Sequence, residues 1–402
     1  MTAPSSNTND YTEIKPLDIV NEIIPKAFNM NASDIHIEPL EQIARISFRI
    51  DGILYEIQTF PMAYLEAVIS SLKVMAELDL TEHRKPQDGH ILFRIPMAIK
   101  SQSIDLRLSI FPTVLGEAAV MRILNRKDML FEQLENLGID SANTEKLKGI
   151  LSQHSGMVLA TGPGGSGKTT TLYSMLNHLA FEKSMRRNIV TLEDPVELRI
   201  ENVRQSQIHQ EIGFDFVTGL RSILRQDADV IMIGEIRDDE TGRMALRAAL
   251  TGALFFSTLH TTNSVGAIVR FAELGMPRSL IASAIRVIIA QRLLRTICPD
   301  CKVETNPSKL LKDLCGVPKD AQLRFFQGQG CDHCAGTGYL GRTGIFEILF
   351  VDSAIQNLII EGAPFMEIEA RARQNGMKTL RESGLAKVEE QITTHEEILR
   401  MI

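Results

Sequence analysis

The densest chemistry in this chain sits at Gly162-Pro163-Gly164-Gly165-Ser166-Gly167-Lys168-Thr169-Thr170. The stretch satisfies the phosphate-loop pattern G-x-x-x-x-G-K-[ST] at every fixed position. Glycines at these spacings let backbone N–H groups turn inward around a phosphate, and the N-terminus of a following helix adds its positive dipole end. Lys168 would reach the β- and γ-phosphates, and the Thr169 hydroxyl would ligate Mg²⁺. The flanks suit that use: Met157–Thr161 is a short apolar run of strand type, and Thr169–Leu179 has helical character. The expected ligand is therefore ATP with Mg²⁺, held by residues 162–170.

Two further acidic groups stand where a strand would end. Glu193 follows the apolar run Asn188–Leu192, and Glu235 follows Asp229–Gly234. Transfer of a phosphoryl group to water needs a metal site and a group that orients the attacking water. Glu235 is the candidate for the second role, and Glu193 for an indirect contact to Mg²⁺ or water. Glu197 and Asp238 read instead as caps of following helices. His260, just beyond the run Leu254–Thr258, is a candidate γ-phosphate sensor, although an isolated histidine is more often structural.

A second centre is written in cysteines. Cys298-Pro-Asp-Cys301 and Cys331-Asp-His-Cys334 are two C-x-x-C pairs separated by a segment rich in proline and glycine. This spacing points to a Zn²⁺ site, with redox pairs or buried thiols as the alternatives. His333 lies between two ligands and is expected to point away, and Cys315 is a spare thiol.

These groups need elements to position them. From Leu137 the pattern is short buried strands alternating with helices, the mark of a parallel α/β core. Its strands would be Met157–Thr161, Asn188–Leu192, Val230–Ile233 and Leu254–Thr258. Ligands bind at the C-terminal ends of such strands, which would gather Lys168, Glu193, Glu235 and His260 around one site. Before it, a helix at Leu17–Met30, alternating strands around an Asp51-Gly52 hairpin, a helix at Met62–Leu78 and three more strands form an α+β domain on an antiparallel sheet. Residues 126–136 read as a charged linker.

The whole chain sets the bounds. Its 402 residues allow two or three domains. A net charge of −7 and a pI near 5.8 argue against a general nucleic-acid binder. The apolar run Leu280–Leu294 is cut by Arg286 and Arg292, so no membrane span is expected. The polar start of the chain lacks the pattern of a signal peptide, which makes a cytoplasmic protein the expectation.

The set Gly162–Thr170, Thr191–Glu197, Leu220–Arg237 and Ser257–Arg270 resembles the secretion ATPase superfamily. Within it the chain is most similar to the type II secretion E component and the type IV pilus assembly ATPase (the GspE/PulE/PilB group). The four stretches match that family's Walker A, Asp, Walker B and His boxes in order, and the likeness runs from about Ile14 to the C-terminus. The resemblance implies a RecA-like P-loop NTPase core with an N-terminal α+β domain, a tetracysteine zinc subdomain and a helical C-terminal region. The implied boundaries are a disordered 1–13, a PAS-like α+β domain at 14–125, the ATPase domain at 137–296, the zinc subdomain at 297–340 and the helical domain at 341–402. By similarity Glu235 is the catalytic glutamate. The resemblance alone brings Arg107, Arg122, Arg221 and Arg225 to the nucleotide; by pattern alone they read as solvated arginines. It also implies a homo-hexamer on the cytoplasmic face of the inner membrane that works with a platform protein of the GspF/PilC type. The domain that usually docks on a membrane-anchored recruiting protein is expected to be missing or reduced. The family role is assembly of a pseudopilus or pilus, with a DNA-transfer motor or a non-hydrolysing scaffold as rivals. Departures from the family pattern are Gly164, where Thr or Asn is usual, Ala228 in place of Pro, and Thr262-Asn263 after His260.

Overall fold

The structure, a computed structural model, describes residues 15–95, 102–124, 133–182, 186–309 and 324–401. The segment 1–13, most of the expected linker and Cys315 lie outside them. The chain divides into two compact units, Met1–Met129 and Leu130–Ile402.

The first unit runs α1 (Pro16–Asn29), β1 (Ala32–Pro39), β2 (Ile43–Ile50), β3 (Ile53–Pro61), α2 (Leu65–Met75), β4 (Gln87–Ile95), β5 (Gln102–Thr113) and β6 (Gly116–Ile123). All its strands pair antiparallel, in the order β3-β2-β1-β6-β5-β4. Alternation decides the layers: Ile35, Ile37, Ile46, Phe48, Leu106, Leu108 and Met121 are buried with Val20, Ile23, Val68 and Leu72 of the two helices. The hairpin between β2 and β3 turns on Asp51 and Gly52, which both take positive φ, 48° and 85°. That is why an Asp-Gly pair stands there. The other sheet face is polar. Register places His90, Arg107, Arg122, Asp34 and Arg49 in one row across five strands.

The second unit contains α3 (Ser141–Leu151), β7 (Gly156–Thr161), α4 (Lys168–Ala180), β8 (Ile189–Glu193), β9 (Arg204–Gln207), α5 (Phe216–Ile223), β10 (Val230–Ile233), α6 (Asp239–Leu250), β11 (Leu254–Leu259), α7 (Ser264–Glu273), α8 (Arg278–Ala284) and β12 (Ile285–Ile297). There follow β13 (Lys302–Thr305), β14 (Phe325–Gly328), β15 (Tyr339–Phe350) and helices α9 (Ser353–Glu361), α10 (Phe365–Gln374), α11 (Leu380–Glu389) and α12 (His395–Met401). The main sheet has the order β15-β12-β7-β11-β10-β8-β9 and is parallel except for the edge strand β15. Both faces are covered. Met157 and Leu159 of β7 pack on one side with Phe255 and Phe271, while Val158 and Ala160 pack on the other with Phe256 and Leu172.

Two expectations change here. The run Leu280–Leu294, read only as apolar, ends helix α8 and from Ile285 onward supplies most of strand β12 beside the phosphate-loop strand. The expected helical region at 341–402 begins instead with strand, because Gly341–Phe350 belongs to β15 and pairs along β12. Both strands are buried on both faces for much of their length, so neither carries the alternation that marks a strand in sequence.

Candidate nucleotide site and tetracysteine centre

The phosphate loop leaves the C-terminal end of β7 and enters α4 at Lys168. Gly162, Gly165 and Gly167 take positive φ, at 149°, 73° and 88°. A Cβ on Gly162 would lie 2.7 Å from the Gln291 carbonyl oxygen, so both backbone freedom and space demand glycine. Lys168 folds back over the loop, its Nζ donating to the carbonyls of Gly162 at 2.8 Å and Pro163 at 2.9 Å. Burial pushes its ammonium below the usual lysine range; Glu235 opposes that shift and Arg292 adds to it. Thr169 and Thr170, beside it on the first turn of α4, are exposed.

Glu235 follows β10 and is held against the next strand. Thr258 Oγ1 donates to the Gly234 carbonyl at 2.8 Å, and the Ile236 amide donates to the Thr258 carbonyl at 3.2 Å. One carboxylate oxygen of Glu235 accepts from Arg237, and the other lies 3.3 Å from His260 Nε2. The pairing with Glu235 raises the Arg237 guanidinium above its usual range. The loop carrying His260 is tied to the end of β7, since the Thr261 amide donates to Thr161 Oγ1 at 2.9 Å. Lys168, Glu235 and His260 thus meet at the strand ends.

Glu193 is placed differently from the other acidic candidate. It is 3% exposed, and its carboxylate accepts from Tyr173, from Thr191 at 2.5 Å and from Gln205 at 3.1 Å. These contacts make it a buried anchor that joins α4, β8 and β9. Burial beside it pushes the Tyr173 phenol well above its usual range. Asp238 caps α6 through the Thr241 amide at 2.8 Å. Glu197 caps no helix, because β8 runs by a loop into β9; the acidic residue there carried no helix signal beyond its type.

Arg221 on α5 is exposed and paired with Glu240 of α6, and Arg225 donates to the Arg221 carbonyl at 2.8 Å. In the first unit, Arg122 Nε donates to the buried Asp34 at 2.9 Å, directly across from Arg107 on β5. Burial works against ionisation of Asp34, and bonds from Ser33 and Arg122 outweigh it and hold the carboxyl below its usual range. Arg107 and Arg122 line an open cavity of about 400 Å³ with Asp88, His90 and Ser109.

Sequence reasoning passed over Arg237, Gln291 and Arg292. Gln291 and Arg292 are 1% and 9% exposed and stand beside the phosphate loop. A polar pair inside an otherwise apolar run was the available signal, since such residues are rarely buried without partners.

The four cysteines Cys298, Cys301, Cys331 and Cys334 converge, with all sulfurs within 4.8 Å of one another. Three edges measure 3.8, 3.8 and 3.7 Å. A tetrahedron with metal–sulfur bonds of about 2.3 Å has edges of about 3.8 Å, so the donor set fits a tetrahedral thiophilic ion. Backbone amides of Gly330, Cys331 and Gly338 point at the sulfurs from 3.2–3.3 Å. Burial resists ionisation of Cys334, but the amides of Cys331 and Gly338 bring its thiol down to about 7, whereas burial pushes Cys301 up to about 12. Gly328 and Gly338 approach so closely that a Cβ on Gly328 would fall 1.9 Å from the Gly338 carbonyl oxygen. His333 faces away from the sulfurs and pairs with Asp300 at 2.5 Å.

Among the described residues no helix is long and apolar enough to cross a membrane. Comparison with known proteins agrees with this geometry. The chain is 44% identical to the type IV pilus assembly ATPase PilB of Thermus thermophilus over 383 residues, 94% of this chain and 42% of that protein. It is 41% identical to the type II secretion system ATPase E of Vibrio cholerae over 96% of this chain and 75% of that one. The chain therefore spans under half of the PilB relative and three quarters of the secretion relative. Among solved structures, the pilus retraction motor PilT with bound ADP aligns at a TM-score of 0.61 and 26% identity, covering 97% of each chain. The Legionella pneumophila ATPase DotB shares the fold at a TM-score of 0.70 and 21% identity. A family model described as type II/IV secretion system protein matches residues 9–400, and with these relatives it makes the chain a member of that family.

Proposed function

We propose that this chain is a Mg²⁺-dependent ATP hydrolase whose turnover drives assembly of pilin-like subunits, in protein secretion or in a type IV pilus. The observation that carries the reading is the meeting of Lys168, Glu235 and His260 at the C-terminal ends of three adjacent strands, in a family whose matched relatives are named ATPases. Backbone amides from Gly164 to Lys168 hold the phosphates, and Thr169 supplies a hydroxyl to Mg²⁺. Glu235 orients the attacking water, and His260, against its carboxylate, responds to the γ-phosphate. Glu193 acts from beneath, by fixing α4 to β8. Arg107, Arg122, Arg221 and Arg225 add positive charge toward the triphosphate in the assembled motor. The tetracysteine centre holds Zn²⁺, which substitutes for an apolar core in a module too small to have one. The working form is a homo-hexamer on the cytoplasmic face of the inner membrane, pressed against a platform protein of the GspF/PilC type.

One assay tests the reading. Phosphate release is measured for the full chain alone, with single-stranded DNA and with a purified platform protein in detergent. Basal turnover raised by the platform and indifferent to DNA is expected. Stimulation by DNA but not by the platform would overturn the assembly role, and absence of turnover in all arms would overturn the hydrolase.

A further inference from the structure

Between the phosphate loop and the His260 loop lies a buried polar chain built from β12. Gln291 Nε2 donates to the Ser166 carbonyl, inside the phosphate loop, at 2.8 Å. The Gln291 carbonyl in turn accepts from Arg292 Nη1 at 2.9 Å, and Arg292 Nη2 donates to the Thr262 carbonyl at 2.9 Å. Thr262 is two residues after His260. Both loops are thus fastened to consecutive residues of one strand. The same residues wall the loop, since a Cβ on Gly162 would come within 3.2 Å of Arg292 Nη1 and one on Gly167 within 3.1 Å of Gln291 Nε2.

Placing a guanidinium here is costly, which argues that it has a task. Burial lowers the Arg292 guanidinium from its usual range, and the nearby Glu347 opposes that shift. Glu347 itself accepts from the Ser264 amide at 2.8 Å and the Ser264 hydroxyl at 2.6 Å, at the start of α7. The loop of residues 260–263 is therefore held at one end by Thr161 and Arg292 and at the other by Glu347. A hydrophobic pair at 291–292 would pack in a strand of this kind without any of these bonds.

We propose that Gln291 and Arg292 are positioning residues for ATP turnover: Gln291 sets the phosphate loop, and Arg292 sets the loop that presents His260 to Glu235. The inference rests on the reading of this site as an ATP hydrolase. A change in the phosphate loop moves the Ser166 carbonyl, and through the Gln291 and Arg292 bonds it reaches Thr262 and the histidine. Arg292 touches no reacting atom in this scheme; it acts through His260. Lysine at 292 keeps the charge but cannot span two carbonyls with a planar fork.

The test uses the full chain and compares Arg292→Lys, Gln291→Glu, His260→Ala and the Arg292→Lys/His260→Ala double variant. Fluorescent ATP-analogue affinity, kcat, KM and melting temperature are measured for each. Arg292→Lys is expected to lower kcat about tenfold with analogue affinity within about threefold. Its effect should largely vanish in the His260→Ala background, because two residues acting through one contact are not additive. Gln291→Glu, which sets an acceptor against the Ser166 carbonyl, should instead weaken analogue binding about tenfold or more. A purely structural role for Arg292 would lower the melting temperature and leave the two kcat losses multiplicative; that result overturns the inference. Should Arg292→Lys fail to fold, Gln291→Glu decides alone, and unchanged analogue affinity there overturns it. Active wild type with unaffected variants sinks this inference only. Wild type that binds no nucleotide sinks the hydrolase reading and this one with it.

Discussion

His260 Nε2 lies 3.3 Å from a carboxylate oxygen of Glu235, although the two residues stand just beyond different strands, β11 and β10. The other oxygen of Glu235 is engaged by Arg237. The carboxylate that would orient water is thus held from two sides, and its field reaches the Lys168 ammonium.

Removing the charge from Glu235 separates binding from turnover. Glu235→Gln should bind ATP within about threefold of wild type and lose turnover by about a hundredfold or more, since it would remove the group proposed to polarise water. Lys168→Ala should lose nucleotide binding itself. Equilibrium binding and phosphate release on both variants check this; near-normal turnover in Glu235→Gln would contradict the assignment.

Arg122 neutralises Asp34, which is 5% exposed, besides the role proposed for it toward the nucleotide, so the two must be separated. Arg122→Ala should therefore destabilise the first unit as well as slow turnover, by about 1–3 kcal/mol, the cost of leaving a buried charge short of a partner. Arg107→Ala should slow turnover with little change in melting temperature. An Asp34→Asn, Arg122→Ala pair recovering stability but not activity would distinguish the two roles. Full activity in the Arg107→Ala, Arg122→Ala double variant would remove both from the ATP reaction.

The cysteine tetrahedron predicts one Zn²⁺ per chain in protein purified without chelator. Cys331→Ser should release most of the metal and loosen the β13–β14 module while leaving ATP-analogue binding in place. Elemental analysis with limited proteolysis reads both outcomes, and a metal-free wild type would contradict the assignment.

Acid stability should report on the C-terminal helix α12. Its Glu397 is 1% exposed, pairs with Arg295 at 2.7 Å and Arg400 at 2.7 Å, and accepts from the Arg295 amide. Burial opposes ionisation, but these partners hold the carboxyl at about 2, below the ordinary 4.5. Because the folded value is depressed, the contribution is present in full above pH 4.5 and is lost as pH falls toward 2. Its size is on the order of 3 kcal/mol. Wild-type denaturation midpoints should fall across that window, and Glu397→Gln should be destabilised at pH 7 and show a flatter acid limb.

Local pattern was enough for much of this protein. Residues 162–168 carry their own conformation, since glycines at positive φ before a helix serve one purpose whatever surrounds them. The strand ends bearing Glu193, Glu235 and His260 were legible because each short buried run stops at a polar residue. The cysteine pairs announced their centre by spacing alone. Alternation separated the antiparallel sheet from the helices that cover it, and Asp51-Gly52 marked its turn.

Tertiary structure decided the rest. Strands β12 and β15 were hidden because a strand buried on both faces has no period for sequence to display. Whether an acidic residue faces ligand or core was equally beyond local pattern: Glu193 and Glu235 both follow apolar strands. Glu193 turns to Tyr173, Thr191 and Gln205, residues 20, 2 and 12 positions away, while Glu235 meets a histidine 25 positions on. Only folding brings Arg292 beside Gly162, and only there does a charge that merely interrupted an apolar run become a partner for the Thr262 loop carbonyl and for the Gln291 carbonyl of its own strand. Sequence specified which chemistry each residue can perform, and packing determined which of them meet.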